Sequence, residues 1–280
     1  MLRTSAVRIL GERDREAVRE LLDADPVGNV FVASRLMTTG ISGGGVGAEV
    51  WGHMERGRLT ALCYSGANLV PVNAGPTAVR SFADHARWRG RRCSSIVGPV
   101  EAVNDFWQQV TPAWGPARAI RASQPVLEID GPPSVEPDPL VRRVRISEIN
   151  TLVPACVAMF TEEVGVPPDS GDGGALYRAR VEELVRTGRA FARIENGRVV
   201  FKAEIGAVTQ HVCQIQGVWV HPELRGQGHS TAGMAAVVNY ALAEIAPRVT
   251  LYVNDFNTPA RAAYQRVGFR QVGEVMSVLF

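Results

Sequence analysis

Lysine is nearly absent: of 30 basic residues only Lys202 is a lysine, and the rest are arginine. A general arginine bias carries no physical message, but it singles out the position that keeps lysine. Cysteines are few, at Cys63, Cys93, Cys156 and Cys213, with no C-x-x-C pair and no metal-ligand spacing to the five histidines. That pattern argues against a disulfide framework or a zinc site, and predicts reduced thiols in the core and no metal. No apolar run approaches the roughly 20 uncharged residues of a membrane helix. The opening residues meet Glu12, Arg13, Asp14 and Arg15 without an apolar stretch, so neither a membrane partner nor a secretory leader is expected. A net charge of +2, with arginines scattered rather than clustered among aromatics, leaves no electrostatic footprint for a nucleic acid. What remains is a 280-residue chain, 46% hydrophobic and 21% charged, with the balance of a folded cytoplasmic enzyme or binding protein.

A Pro-rich stretch from Gly131 to Pro139 divides the chain near its middle. Proline fixes φ and cannot donate to a ladder, so this stretch reads as a linker or an extended crossing. The expected division is 1–130, a linker at 131–140, and 141–280. The two halves open alike. Val7-Arg8-Ile9-Leu10 precedes a helical pattern from Asp14 to Leu22, and Val144-Arg145-Ile146 precedes another from Ile149 to Phe160. Each then carries two apolar alternations around a tight turn, Glu55-Arg56-Gly57 in the first half and Glu195-Asn196-Gly197 in the second. This is the hairpin signal, and it suggests a pseudo-repeat of one α/β unit. Beyond the hairpins the halves diverge: the first has Leu69-Val70-Pro71-Val72-Asn73-Ala74-Gly75-Pro76, which is poorly suited to an anion. The glycine cluster from Gly40 to Gly47 lacks the Lys-Ser/Thr ending of a nucleotide loop and reads as a connection.

The informative segment runs from Gln214 to Ser230. An apolar strand ends at Val220, Pro222 stops it, and Arg225-Gly226-Gln227-Gly228-His229-Ser230 leads into a helical run through Ala232, Met234, Ala235, Val238 and Leu242. Strand, glycine turn and helix N-terminus in that order aim several unpaired backbone N–H groups at one point, which favours phosphate. Arg225 adds a charge-assisted contact. Downstream, Val249–Val253 reads as the next strand and Asn254-Asp255-Phe256-Asn257 leaves it. Thr258 is expected as a helix cap, with Pro259 at the first helical position and Gly268 as the stop.

These two segments resemble the motifs of the GNAT superfamily of acyl-CoA-dependent N-acetyltransferases. Val218-Trp219-Val220-His221-Pro222-Glu223-Leu224-Arg225-Gly226-Gln227-Gly228 is similar to the pyrophosphate motif with its preceding strand, and Asn257 to Phe269 is similar to the second motif. The resemblance covers roughly 140–280; the first half resembles a degenerate copy only in its element order. It implies an α/β (α+β) fold of two tandem units, each a mixed, mostly antiparallel sheet flanked by helices. It further implies a V-shaped opening beside Val220, where acetyl-CoA lies as acyl donor. Its pantetheine would pair with the main chain at Val218, Trp219 and Val220. Its pyrophosphate would sit on Arg225, Gly226, Gln227, Gly228, His229 and Ser230, and its arm would touch Asn257. Ser230 departs from the family's usual Gly or Ala but stays small and can donate.

Acyl transfer to an amine needs a neutral nucleophile, an oxyanion stabiliser and a proton for the leaving thiolate. Tyr264 matches the family's position for that acid; the bland alternative is an aromatic packing residue. The base is open. Gln214 stands nearest to a family glutamate and cannot take a proton, leaving Glu204, Glu162, Glu163, His211 and the terminal carboxylate of Phe280. Glu162 and Glu163 are placed after the first helix, in the acceptor stretch, with Asp169 and Asp172 hinting at a cationic amine: a small molecule or a peptide. Lys202 and Glu204 share one strand face, with Gln214 and Gln216 continuing it. Turned inward, this face lines a cavity; turned outward, it is solvated, and the inward orientation is the expectation. A non-catalytic acyl-CoA-binding module is the rival class. A dehydrogenase is more distant, since its glycine turn belongs early in a βαβ unit.

Overall fold

The computed structural model describes residues 7–42, 47–168 and 173–280. Part of the glycine cluster at 40–47, and both Asp169 and Asp172, lie outside the described residues. The chain forms two compact units, Met1–Val126 with Val272–Phe280, and Leu127–Gln271. The division expected at 131–140 differs in two respects: the Pro-rich stretch lies within the second unit, and the last nine residues lie within the first.

The first unit contains β1 (Val7–Ile9), α1 (Arg15–Asp23), α2 (Val30–Thr39), β2 (Glu49–Glu55), β3 (Arg58–Ser65), β4 (Asn68–Val72), α3 (Pro76–Arg89), β5 (Ser95–Pro99), α4 (Val100–Trp114), most of β6 (Ala119–Ile129) and most of β12 (Arg270–Leu279). Its strands run in the order β1-β2-β3-β4-β5-β12. All these pairs are antiparallel except β4 with β5. Helices α1 and α2 cover one face through Val18, Leu22, Val32 and Leu36, and α3 and α4 cover the other through Phe82, Val103 and Phe106.

The second unit repeats this plan with β7 (Arg142–Arg143), α5 (Ile149–Val164), α6 (Ala175–Arg186), β8 (Ala190–Glu195), β9 (Arg198–Val208), β10 (Cys213–Val220), α7 (His229–Glu244), β11 (Val249–Tyr252) and α8 (Thr258–Val267). Its strands run in the order β7-β8-β9-β10-β11, with the end of β6 from Leu127 onward beside β11, again antiparallel from β7 to β10 and parallel from β10 to β11. Phe191, Phe201, Ala203 and Ile205 face α7 and α8, and Ala190, Ala192, Val199 and Trp219 face α5 and α6. The Pro-rich stretch is an extended crossing held on α7 and α8, by Ser134 N–H to Val267 O at 2.8 Å and Asp138 N–H to Ala232 O at 3.0 Å.

Sequence chemistry explains the parallel plans. The two hairpin turns, Arg56-Gly57 (φ 49°, 79°) and Asn196-Gly197 (φ 49°, 72°), both take positive φ at the two central positions, as a two-residue hairpin of the I′ type requires. The match reaches single side chains. Arg8 pairs with Asp14, which also accepts the Gly11 N–H. Arg142 pairs with Glu148, which also accepts the Arg145 N–H. In each unit one carboxylate six residues after a strand arginine fixes the entry of the first helix. The hydrogen bond from Arg142 outweighs burial and, with the Arg145 N–H, holds Glu148 down at about 2.

Two boundaries differ from expectation. α5 runs on to Val164 and stops at Gly165 (φ 83°), so Glu162 and Glu163 belong to its last turn rather than to a following loop. The cap of α8 is Asn257, whose Oδ1 accepts the Ala260 N–H, and Thr258 is the first helical residue. α7 seats closely on β9: a Cβ at Gly233 would lie 2.7 Å from the Phe201 ring. Gly233→Val is therefore expected to lower stability by about 2 kcal/mol through overpacking, read as a shifted urea midpoint at constant slope.

Candidate acyl-coenzyme A site

β10 pairs in parallel with β11 at only two positions, Cys213 with Val249 and Gln214 with Thr250. From Ile215 onward the register with β11 ends, while β10 stays paired with β9. The His221 N–H donates to Val200 O on β9. Main-chain groups alternate sides along a strand, so those of Val220 and Val218 face away from β9, into the opening. The Val220 carbonyl there accepts Arg225 Nε at 3.1 Å.

Within this stretch β10 carries a bulge: Gln216 opposes Glu204 and Trp219 opposes Lys202, so Gly217 and Val218 together face Ala203. Gly217 takes φ 61°, and a Cβ there would lie 2.7 Å from Glu204 Oε1. The bulge therefore needs glycine twice over, for its backbone and for the carboxylate lying across it.

Past Val220 the chain makes a short 3-10 turn (Pro222–Leu224), then Gly226 (φ 77°) and Gly228 (φ 85°) lead into α7. Both positive angles are left-handed, the region glycine enters without Cβ cost. The N-terminus of α7 has no side-chain cap and no acidic residue in its first turn. The first N–H groups of a helix have no partner within it, so a 16-residue helix points its positive end out of an exposed glycine turn. Arg193 Nη1 lies 3.5 Å from His229 Nδ1 at this end, and is itself tied to Asp138 and Glu195. The first unit lacks this construction: three residues separate β4 from α3, whose first residue is Pro76.

Arg225, the cation of the turn, donates from Nη2 to Glu162 Oε2 at 2.7 Å, and Glu162 Oε1 accepts Trp219 Nε1 at 3.1 Å. Glu162 thus binds the last turn of α5 to β10 and the glycine turn, and is not free as a base. Tyr264 is buried against Phe269, with ring centroids 6.1 Å apart. Burial, and secondarily the Glu163 charge, push its hydroxyl well above the ordinary phenol range. Asn257 spends its side-chain oxygen on capping α8.

Lys202, Glu204 and Gln214 are all buried, on the face covered by α5 and α6 in the case of Lys202. Gln216 instead is exposed and lies over Gly206. His211 sits in the turn between β9 and β10, near Arg248. Phe280 packs in the first unit against Trp107 and Trp114, with the Arg91 guanidinium over its ring. Cys156 on α5, which accepts from Lys202, and Tyr177 on α6, which donates to the Cys156 carbonyl, are not marked out by the sequence; helical spacing alone gives no sign of which face meets a strand lysine. All four cysteines are free and buried. Among the described residues no group of three or more His, Cys, Asp or Glu could hold a metal, and no helix is long and apolar enough to cross a membrane.

Residues 161–269 match the acetyltransferase (GNAT) family profile, and residues 48–152 match one described as a domain of unknown function (DUF4081). No curated protein matches the chain. A GCN5-related N-acetyltransferase from Sphaerobacter thermophilus superposes with a TM-score of 0.64 at 17% identity, over 97% of this chain and 93% of that one. A tandem GNAT protein from the clavulanic acid biosynthesis pathway gives 0.55 at 16% identity, over 98% of each chain. A GNAT-family acetyltransferase from Colwellia psychrerythraea gives 0.57 at 11%, over 98% of this chain and 99% of that one. At these identities the likeness is one of fold. Residues 161–269 thus carry the acetyltransferase (GNAT) family profile on a GNAT fold. The chain has the tandem form of that fold, two GNAT-like units in one polypeptide.

Proposed function

We propose that the second unit binds acetyl-CoA in the opening beside β10 and transfers the acetyl group to an amine by direct attack in a ternary complex. The observation that carries this reading is the loss of β11 pairing after Gln214, with Val218 and Val220 facing the gap and the uncapped α7 at its end. Pantetheine amides would add to that edge as an extra strand. The diphosphate would take the N–H groups from Arg225 to Ser230. The acceptor arrives as an ammonium and gives one proton to Glu204. The free amine adds to the thioester carbon, the C–S bond breaks, and sulfur takes a proton from Tyr264. The second nitrogen proton returns to Tyr264, and Glu204 releases its own to solvent. No metal enters this scheme.

Glu162 competes with the diphosphate for Arg225 in this reading. An exposed pair of this kind is worth under ~1 kcal/mol, so Glu162→Gln is expected to tighten acetyl-CoA binding about threefold, measured by calorimetry. An unchanged or weaker affinity would mean that Arg225 does not turn toward the ligand. The rival, a non-catalytic acyl-CoA-binding module, draws on the buried Gln214, which has no proton-accepting group. Free-thiol release from acetyl-CoA with a panel of primary amines separates the two: binding without release for every amine defeats transfer.

A further inference from the structure

The buried cluster under β9 has no part in donor binding, yet it adjoins the bulge. Lys202 is almost wholly buried, its side chain 1% exposed, and Glu204 beside it is 10% exposed. The Lys202 Nζ lies 3.6 Å from Glu204 Oε2 and donates to Cys156 Sγ at 3.3 Å. Tyr177 closes the cluster from α6 by donating to the Cys156 carbonyl at 2.9 Å. The other Glu204 oxygen lies across the bare α-carbon of Gly217 and accepts Gln216 Nε2 at 3.4 Å.

We infer that Lys202 is a positioning residue: its ammonium anchors one oxygen of Glu204, leaving the other oxygen aimed across Gly217 toward the acyl group to receive a primary ammonium. This rests on the reading of Glu204 as the group that takes the acceptor's proton.

Three observations converge on it. The first is the ion pair: Lys202 Nζ lies 3.6 Å from Glu204 Oε2 with both side chains buried, and a buried carboxylate is held in one orientation by the cation that pairs with it. The groups near the carboxylate from neighbouring elements are the Cys156 thiol on α5, the Tyr177 phenol on α6 and the Gln216 amide on β10, with Glu163 on α5 acting on Tyr177. Burial first, and then neighbouring acidic groups, push the Tyr177 hydroxyl up, so it stays neutral. Burial raises the Cys156 thiol likewise. For Lys202 burial is the largest single influence and works against the charge, but Glu204 and Cys156 together outweigh it, so the ammonium persists.

The second observation is compositional. In a chain that otherwise uses arginine, this position holds the chain's one lysine. A compact point charge on a flexible stem fits between one thiol and one carboxylate oxygen; a planar five-donor fork would leave donors unsatisfied there. The third is the bulge. Any side chain at 217 would take the volume that Glu204 Oε1 occupies, so glycine keeps the carboxylate's path to the β10 edge open.

The test measures thiol release in the full chain with a primary amine, beside acetyl-CoA affinity by calorimetry. Glu204→Gln and Lys202→Met are each expected to lower the rate of thiol release about tenfold or more. Acetyl-CoA affinity should stay within about twofold of wild type in both. If Lys202→Met does not fold, Lys202→Arg serves instead, with a rate loss of about threefold or more expected from the misplaced charge. The Lys202→Met/Glu204→Gln double variant, which leaves no lone charge, is expected to fold and to lose no more thiol release than Glu204→Gln alone. A wild-type rate in the lysine variant, or a double variant worse than Glu204→Gln, overturns the inference. Wild-type thiol release from Glu204→Gln instead overturns the underlying reading of Glu204, so the two failures are distinct.

Discussion

Gly228→Asp is expected to weaken acetyl-CoA binding at least 100-fold while leaving the second unit folded. Gly228 is the residue before α7, at φ 85°, and a Cβ there would meet nothing within 4 Å. The cost of the change is therefore conformational, and aspartate is among the residues that tolerate the left-handed region best, at about 1 kcal/mol. A carboxylate at this end of a helix is in turn favoured by the macrodipole by roughly 0.3–1 kcal/mol, which offsets most of that strain. The ligand sees the opposite. A charge about 5 Å from one phosphate, at an effective dielectric near 20, costs about 3 kcal/mol, or roughly 100-fold. Calorimetric titration with acetyl-CoA reads the loss, and a thermal melt within about 4 °C of wild type shows that the fold survived. Affinity within fivefold of wild type would mean that the diphosphate binds elsewhere.

This turn was the part of the site most legible in the sequence, because its physics is local. Pro222, the glycines at 226 and 228 and the helical run after Ser230 each act within a few residues. The hairpins at Arg56-Gly57 and Asn196-Gly197 were legible for the same reason: a turn type is a two-residue property. Less visible was anything settled by partners far along the chain. The pairing of β12 with β5, Val275 to Leu279 against Pro99 to Ser95, joins the last strand of the chain to one in its first half. No local pattern in 270–279 says which sheet the strand will complete. The companions of Lys202 are hidden likewise: Cys156 is 46 residues away and meets it only when α5 packs across β9. The helix ends fall between these cases. Gly165 is the stop of α5, and it places Glu162 and Glu163 inside the helix although the apolar spacing ends at Phe160. Asn257 and Thr258 are both good capping residues, and only the bond from Ala260 N–H decides between them. The matching Arg8–Asp14 and Arg142–Glu148 pairs mark the internal repeat at side-chain level. They also differ in the acid used, which conceals the match from a comparison by identity.

Tyr264→Phe is expected to lower the rate of thiol release about 100-fold or more, with acetyl-CoA affinity unchanged within about twofold. A positioned proton donor contributes about 10²–10⁴ in rate, and phenylalanine removes the donor alone. The ring packs against Phe269, a contact phenylalanine retains, and no hydrogen bond of the hydroxyl to a described residue would be lost, so stability should fall by no more than about 1 kcal/mol. The pH dependence supplies an independent check. Burial, then the Glu163 charge, raise the folded-state ionisation of Tyr264 above that of a free phenol. The sign follows: the neutral phenol's contribution to stability is fully present below pH 10 and is lost only as pH rises toward the folded value. Tyr264 therefore remains protonated wherever the protein is assayed, and the rate should show no alkaline limb belonging to it below about pH 10. An alkaline limb between pH 8 and 9 that vanishes in Tyr264→Phe would show a phenol far more acidic than its buried site allows. A Tyr264→Phe rate within threefold of wild type would leave the ring as packing on α8, and the thiolate would take its proton from water admitted through the opening beside β10.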